Sequence, residues 1–224
     1  MIDMMEDQLN INYTGGSGGG CDYKFPEGLD GDAITHDLNN SNDYTVPVGK
    51  KLYILQHYGP DLTSIIRIDD IPIKTTGNTN GYQYTLSNPI VASSGQIISG
   101  DGSQSVFNGL IIEENNNVQS ITHDLINFND FIVPDGKKLF ILQHYAPGSS
   151  ARIRIDGIPI KTSGNTNNYL YTLANPIVAS SGQIITNGED SQSVFNGYLV
   201  DEDYFADCSG GGGSTINSVA ETGS

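Results

Sequence analysis

The chain contains no tryptophan, two cysteines, and only ten lysines and arginines against 26 aspartates and glutamates. The shortage of basic side chains leaves a formal net charge of −16. Nucleic acid and anionic lipid need clustered Lys and Arg, so neither is an expected partner. The same imbalance disfavours non-specific self-association, so any assembly must rest on specific contacts or bound cations. Two cysteines are too few for a disulfide-dense scaffold. No apolar run approaches the ~20 residues of a membrane span, so no membrane insertion is expected. Residues 1–20 lack the basic start and continuous apolar stretch of a secretory leader. Either a leader has been removed or the protein leaves the cell by another route. Lysine and glutamate are scarce while glycine and asparagine are abundant, which suits strands and tight turns rather than helices.

What the chain does have is an internal repeat. Ile34-Thr-His-Asp-Leu38 recurs as Ile121-Thr-His-Asp-Leu125, Gly49-Lys-Lys-Leu52 as Gly136-Lys-Lys-Leu139, and Gln56-His-Tyr58 as Gln143-His-Tyr145. The stretch from Asn88 to Gln96 returns at Asn175 to Gln183, a constant offset of 87 residues. A one-residue slip at Ser99-Gly-Asp-Gly102 changes the offset to 88, so that Ser103–Gly109 matches Ser191–Gly197. An insertion tolerated there marks a surface turn. The period is too long for a solenoid and fits a complete small domain.

Each copy reads as short strands separated by turn signals. In the first copy these are Ile34–Leu38, Asp43–Val46, Lys51–Tyr58, Ile65–Ile68, Ile71–Ile73, Tyr82–Leu86, Ile90–Val91, Gln96–Ser99 and Ser105–Ile112. Along Lys51–Tyr58, strict alternation puts Leu52, Ile54, Gln56 and Tyr58 on one face and Tyr53, Leu55 and His57 on the other. No ten-residue segment within a copy has a helical period. The expected fold is all-β, two tandem jelly-roll-like β-sandwiches with an N-terminal arm and a Gly-rich tail. The boundaries are an arm at 1–20, a linker with Cys at 21–32, sandwiches at 33–115 and 116–205, and a tail at 206–224. The expected core is Leu52, Ile54, Leu86, Ile97 and Phe107 in copy 1, matched by Leu139, Ile141, Leu173, Ile184 and Phe195 in copy 2.

The pattern Val46-Pro-x-Gly-Lys-x-Leu-Tyr-Ile, then Arg67-Ile-Asp-x-Ile-Pro-Ile, Asn88-Pro-Ile-Val, Ser94-Gly-Gln-Ile-Ile and Phe107-Asn-Gly-Leu-Ile resembles a small β-sandwich of bacterial surface and phage fibre proteins. The resemblance spans residues 33–113 and 120–201. It implies a display or attachment role and brings no catalytic residues.

The ends stand outside the repeat. Gly15–Gly20 precedes Cys21, and Cys208 is followed by Ser-Gly-Gly-Gly-Gly-Ser214. Ordering such runs costs about 1–2 kcal/mol of backbone entropy per residue, which neighbouring copies would have to offset. In the arm, Ile2, Met5 and Leu9 have coiled-coil spacing, whereas Leu9, Ile11 and Tyr13 alternate like a strand able to add to a sheet edge. A third reading folds the arm onto its own domain. Cys21 and Cys208 are expected to be oxidised, within one chain or between chains.

Candidate chemistry is sparse. His36 and His123 lie in Thr-His-Asp, and His57 and His144 in Gln-His-Tyr. Neighbouring strand residues point to opposite faces, so His36 and Asp37 should not meet. No nucleophile motif accompanies them, and their spacing is not that of a zinc site. A structural role is expected for all four. The acidic turns Asp30-Gly-Asp32, Asp69-Asp70, Asp101-Gly102 and Glu189-Asp190 offer oxygen ligands that calcium could take. None forms an EF-hand loop, and turn chemistry is the expected role; no cofactor is expected. Lys50-Lys51 and Lys137-Lys138 are expected to blunt a strand edge. Tyr82 with Tyr84, and Tyr169 with Tyr171, make a same-face aromatic pair in each copy, for core packing or for stacking on a sugar ring.

The sequence therefore predicts a non-enzymatic structural subunit of an extracellular fibre or virion appendage. It would assemble with copies of itself through its terminal segments, outside the cell, at the cell surface or on a virion. The alternative is a carbohydrate-binding adhesin module whose partner is a surface glycan.

Overall fold

In the computed structural model, residues 21–59, 64–75, 86–101, 105–126, 130–146, 152–162, 173–188 and 192–209 are described. The β-branched runs of copy 1 form β1 (Asp32–Asp37), β2 (Tyr44–Thr45), β3 (Lys50–Tyr58), β4 (Ile65–Ile68), β5 (Ile71–Thr75), β6 (Ile90–Ala92), β7 (Ile97–Asp101) and β8 (Val106–Glu113). Those of copy 2 form β9 (Gln119–Asp124), β10 (Phe131–Ile132), β11 (Lys137–Tyr145), β12 (Arg152–Ile155), β13 (Ile158–Thr162), β14 (Ile177–Ala179), β15 (Ile184–Asn187) and β16 (Val194–Asp201). The expected strand at Tyr82–Leu86 lies outside the described residues except for Leu86, which is buried.

Copy 1 pairs its strands as β1-β8-β3-β6 and β2-β7-β4-β5, and copy 2 as β9-β16-β11-β14 and β10-β15-β12-β13. This is the same antiparallel order in each, with sequence-distant strands as neighbours, as in a jelly roll. Each copy has its own apolar core.

Eight of the ten expected core residues are buried. Ile97 and Ile184 are not: they are 44% and 39% exposed, while Ile98 and Ile185 are fully buried. Two isoleucines stand side by side in each of these strands, and a one-residue shift exchanges the faces. Asp69 and Asp156 set the choice. The Asp69 carboxylate accepts the Ile97 N–H at 2.9 Å and Asp156 accepts that of Ile184 at 2.9 Å, while the aspartate N–H groups donate back to the same isoleucines' carbonyls. These aspartates sit in the β4–β5 and β12–β13 hairpins. Both central residues of each turn have positive φ, 50° and 66° at Asp69-Asp70 and 51° and 78° at Asp156-Gly157, as a tight type I′ turn requires.

The alternation expected along β3 also breaks. The register with β8 shifts between Ile54 and Gln56, which makes Leu55 the extra residue of a bulge. Beyond it, His57 lies opposite Phe107 on the core side, and Gln56 and Tyr58 turn outward. The same shift occurs in β11 between Ile141 and Gln143. The opposing strand needs glycine there. A Cβ on Gly109 would stand 2.3 Å from the Tyr53 carbonyl oxygen, and one on Gly197 would stand 1.9 Å from that of Phe140.

Candidate functional site

The most elaborate surface of the molecule is where its two copies meet. The β5/β6 edge of the first sandwich lies on the outer face of the β9-β16-β11 sheet of the second. Strand β6 is a sheet edge, with backbone groups that need partners. Asn196 supplies them from copy 2: its Oδ1 accepts the Val91 N–H at 2.9 Å, and its Nδ2 donates to the Val91 carbonyl at 2.8 Å. A single amide side chain thus stands in for a neighbouring strand. Beside it, Asn88 Nδ2 donates to the Leu142 carbonyl at 3.1 Å, and Gln143 Nε2 donates to the Asn88 carbonyl.

Around these polar contacts the seam is apolar. Tyr145 and Val194 of copy 2 join the core of copy 1. A third cluster unites Tyr53, Val91 and Ile112 with Phe140, Leu142, Tyr198 and Val200. Phe140 and Tyr198 stack in near-parallel planes, with centroids 5.1 Å apart. Full burial of such a side chain contributes about 1.5–3 kcal/mol. The seam is therefore a core in its own right.

The two chain ends clamp it. Phe25 packs on Tyr53 and Phe205 on Phe140, with centroids 5.6 Å and 5.4 Å apart. Tyr204 donates its hydroxyl to the Pro26 carbonyl at 2.9 Å, and Tyr198 donates to that of Tyr23. Cys21 and Cys208, with Cα atoms 5.4 Å apart, form an intramolecular disulfide across 187 positions. The pairing left open by the sequence is thus within the chain. Closing so long a loop constrains the unfolded chain by about 5 kcal/mol in the loop-entropy description.

Beneath this clamp lies a buried carboxylate. Glu27 accepts from Lys51 Nζ at 2.7 Å, from the Tyr53 hydroxyl at 2.6 Å and from the Asn115 N–H at 2.9 Å. Lys51 also donates to the Val118 carbonyl in the connection between the copies. Burial pushes the Lys51 ammonium below its ordinary pKa, against the upward pull of Glu27. Burial, reinforced by the Glu27 charge, pushes the Tyr53 phenol far upward, which keeps it a donor. Lys51 is thus not an edge-blunting surface lysine; the N-terminal segment folds over it. Its counterpart Lys138 is half-exposed and donates to the Glu202 carbonyl at 3.0 Å. None of the four blunts an edge, because β3 and β11 are interior strands of their sheets; the first lysine of each pair makes a surface ion pair instead, Lys50 with Glu113 and Lys137 with Asp201.

The remaining candidates serve the framework. The His36 Nε2 lies 2.9 Å from the Asn42 carbonyl, with its ring on Tyr44 and Phe107, and His123 packs on Phe131 and Phe195. His57 and His144 each place Nε2 2.9 Å from a serine hydroxyl, Ser105 and Ser193. Asp37 accepts the Asn39 N–H at 2.9 Å rather than meeting a histidine. Asp101 takes Arg67, with Nε at 2.8 Å. Asp69 and Asp156 spend their oxygens on hairpin bonds; for Asp156 the Ile184 N–H and the Gln183 amide hold its pKa below the ordinary value. Among the described residues no group of three or more His, Cys, Asp or Glu is placed to hold a metal, and no helix is long and apolar enough to cross a membrane. The arm residues Ile2, Met5, Leu9, Ile11 and Tyr13 lie outside the described residues. So do Tyr82, Tyr84, Tyr169 and Tyr171, and the Glu189-Asp190 turn.

Sequence reasoning missed Glu27, Asn88, Gln143 and Asn196. Glu27 has no counterpart role in copy 2, and the other three occur in both copies, so nothing in the pattern distinguishes them. No protein-family model, curated protein or solved structure matches the chain. The likeness to bacterial surface and phage fibre sandwiches rests on the sequence motifs alone.

Proposed function

We propose that the chain is a non-enzymatic structural subunit of an extracellular fibre or virion appendage, built to assemble with copies of itself through its terminal segments. The observation that carries this reading is the clamped seam: two jelly rolls share a buried interface whose ends are joined by a disulfide. Such a unit suits load-bearing better than turnover, and its disulfide suits an oxidising compartment. The arm adds Ile2, Met5, Leu9, Ile11 and Tyr13, the apolar pattern outside the repeats, whose burial against a neighbour would contribute up to about 1.5–3 kcal/mol each.

Electron microscopy and light scattering of the purified chain test the reading. Filaments, rings or particles are expected, and deletion of residues 1–20 should weaken or abolish them. Dispersed protomers that bind an immobilised glycan would sink this reading in favour of the adhesin alternative.

A further inference from the structure

The contact between the two copies is heterologous: an edge of the first meets a face of the second. One edge and one face are therefore left over. At the positions that exchange the seam's hydrogen bonds, the leftover surfaces carry the same residues as the surfaces in use; Phe140 and Tyr198 correspond instead to Tyr53 and Leu110, and Tyr53 is already covered by Phe25. On the edge, Ile73 and Asn88-Pro-Ile-Val91 are buried and Ile71 is half-buried, and the repeats of the two segments are Ile158-Pro-Ile160 and Asn175-Pro-Ile-Val178. Ile177 stays in the core of copy 2, but Ile158 is 64% exposed, Ile160 49% and Val178 46%. On the face, Leu142-Gln-His-Tyr145 and Val194-Phe-Asn196 receive the edge, and their repeats are Leu55-Gln-His-Tyr58 and Val106-Phe-Asn108. Gln56, Tyr58 and Asn108 are exposed.

The free face is already set for its partner. In the seam, Asn196 Nδ2 donates to the Thr122 hydroxyl at 2.9 Å and leans on the Ile121 carbonyl at 3.4 Å, which aims its Oδ1 at Val91. Asn108 Nδ2 makes the matching bonds, to the Thr35 hydroxyl at 3.0 Å and the Ile34 carbonyl at 3.1 Å. The free edge matches it in register, because Val178 lies opposite Phe140 as Val91 lies opposite Tyr53. In that register Val178 directs its own N–H and C=O outward. Neither set of repeated residues includes a charge, so contact here avoids the repulsion expected of a chain with net charge −16.

We infer that a second copy of this chain docks its β13/β14 edge on the exposed end of the β1-β8-β3 face, around Gln56, Tyr58 and Asn108, repeating the hydrogen-bonded part of the internal seam head to tail. Asn108 would hold Val178 of the next copy, and Gln56 and Asn175 would repeat the exchange made by Gln143 and Asn88. The inference goes beyond the terminal-segment reading. It rests on the broader proposal of a self-assembling subunit and moves a principal contact onto the sandwiches. Such a contact builds a ring if its rotation closes and a filament if it does not.

The test blocks each surface separately in the full chain. Ile160→Lys with Val178→Lys blocks the edge, and Tyr58→Lys with Asn108→Lys blocks the face. Ile160, Val178 and Tyr58 are each more than two-fifths exposed, and unchanged thermal unfolding of each variant checks that the fold tolerates the changes. Sedimentation and light scattering should show assembly for the unaltered chain and monomers for each variant. A mixture of the two variants should form a one-to-one dimer and nothing larger, because each retains the surface the other lacks. Variants that assemble like the unaltered chain would overturn the inference; if deletion of residues 1–20 then abolishes assembly, the terminal-segment proposal stands alone. Monomeric variants whose mixture fails to pair would overturn the head-to-tail arrangement. An unaltered chain that stays monomeric would overturn both proposals.

Discussion

Strands β6 and β14 have the same sequence, Ile-Val-Ala, in the same register of the same fold, and their surroundings are opposite. Val91 is fully buried and bonded on both sides of its peptide, while Val178 faces solvent. Ile73 and Ile160 differ in the same way. Local sequence built both strands; the neighbour decided which became core. A duplicated domain that meets its twin edge on face must leave one edge and one face unsatisfied, whatever its sequence. The comparison makes matched substitutions in the two copies informative, since each is a control for the other.

The largest expected effect is one that treats the copies nearly alike. Ala at Gly197 or Gly109 drives a Cβ into the backbone of the bulged strand. Gly197→Ala should cost more than about 5 kcal/mol and leave copy 2 unfolded, because backbone cannot yield as a side chain can. Gly109→Ala, with slightly more room, should cost less. Circular dichroism with thermal unfolding ranks the two, and a native-like Gly197→Ala chain would refute the close approach.

The next separates the copies. Glu27→Gln leaves the Lys51 ammonium buried without its counter-charge and should cost about 4 kcal/mol at neutral pH. Lys51 already has a lowered folded-state pKa, and loss of Glu27 lowers it further. Between that value and the ordinary one, the unfolded chain binds more protons, so stability rises with pH. The deficit of Glu27→Gln should therefore shrink as pH rises towards the ordinary lysine pKa in urea unfolding. Lys138→Met at the matching half-exposed site should change stability by less than about 0.5 kcal/mol and show no such pH trend.

Ile73→Ala should cost about 3 kcal/mol and Ile160→Ala under about 0.5 kcal/mol when both are measured in dispersed chain. Equal costs would show that the seam does not set the difference. The smallest effect is at Asp156. Its folded-state pKa is depressed, so its contribution is present above the ordinary carboxylate pKa and is lost as pH falls through the folded value. Asp156→Asn should be slightly less stable than the unaltered chain at pH 7, with the gap closing as pH falls below the ordinary carboxylate range in chemical unfolding.

Much of each sandwich was legible. The β-branched runs and turn residues placed Ile65–Ile68 at its observed bounds, and Lys51–Tyr58 within one residue. Leu52 and Ile54 were readable as core because they precede the bulge in β3, and Phe107 because Val106 and Asn108 beside it are less buried. Ile97 was misread because Ile98 beside it satisfies the same rule, and a hairpin aspartate breaks the tie. The bulge at Leu55 was invisible: it goes with a close approach of the Gly109 backbone on another strand. The seam was the least legible part. Asn88, Gln143 and Asn196 acquire their roles from a partner about as large as the domain itself, and their repeats have no such role within the chain. The candidate site is therefore a property of how the copies meet, which no periodicity within one copy encodes.

The most direct measurement is amide hydrogen exchange, by NMR, of Val91 and Val178 in the full chain as a function of concentration. In dispersed chain, Val91 should be strongly protected by Asn196 and Val178 should exchange as an exposed edge amide. As the chain assembles, Val178 should rise towards the protection of Val91. Equal protection of the two in dispersed chain would contradict the edge-on-face seam, and a Val178 that stays unprotected in assembled material would contradict its repetition between chains.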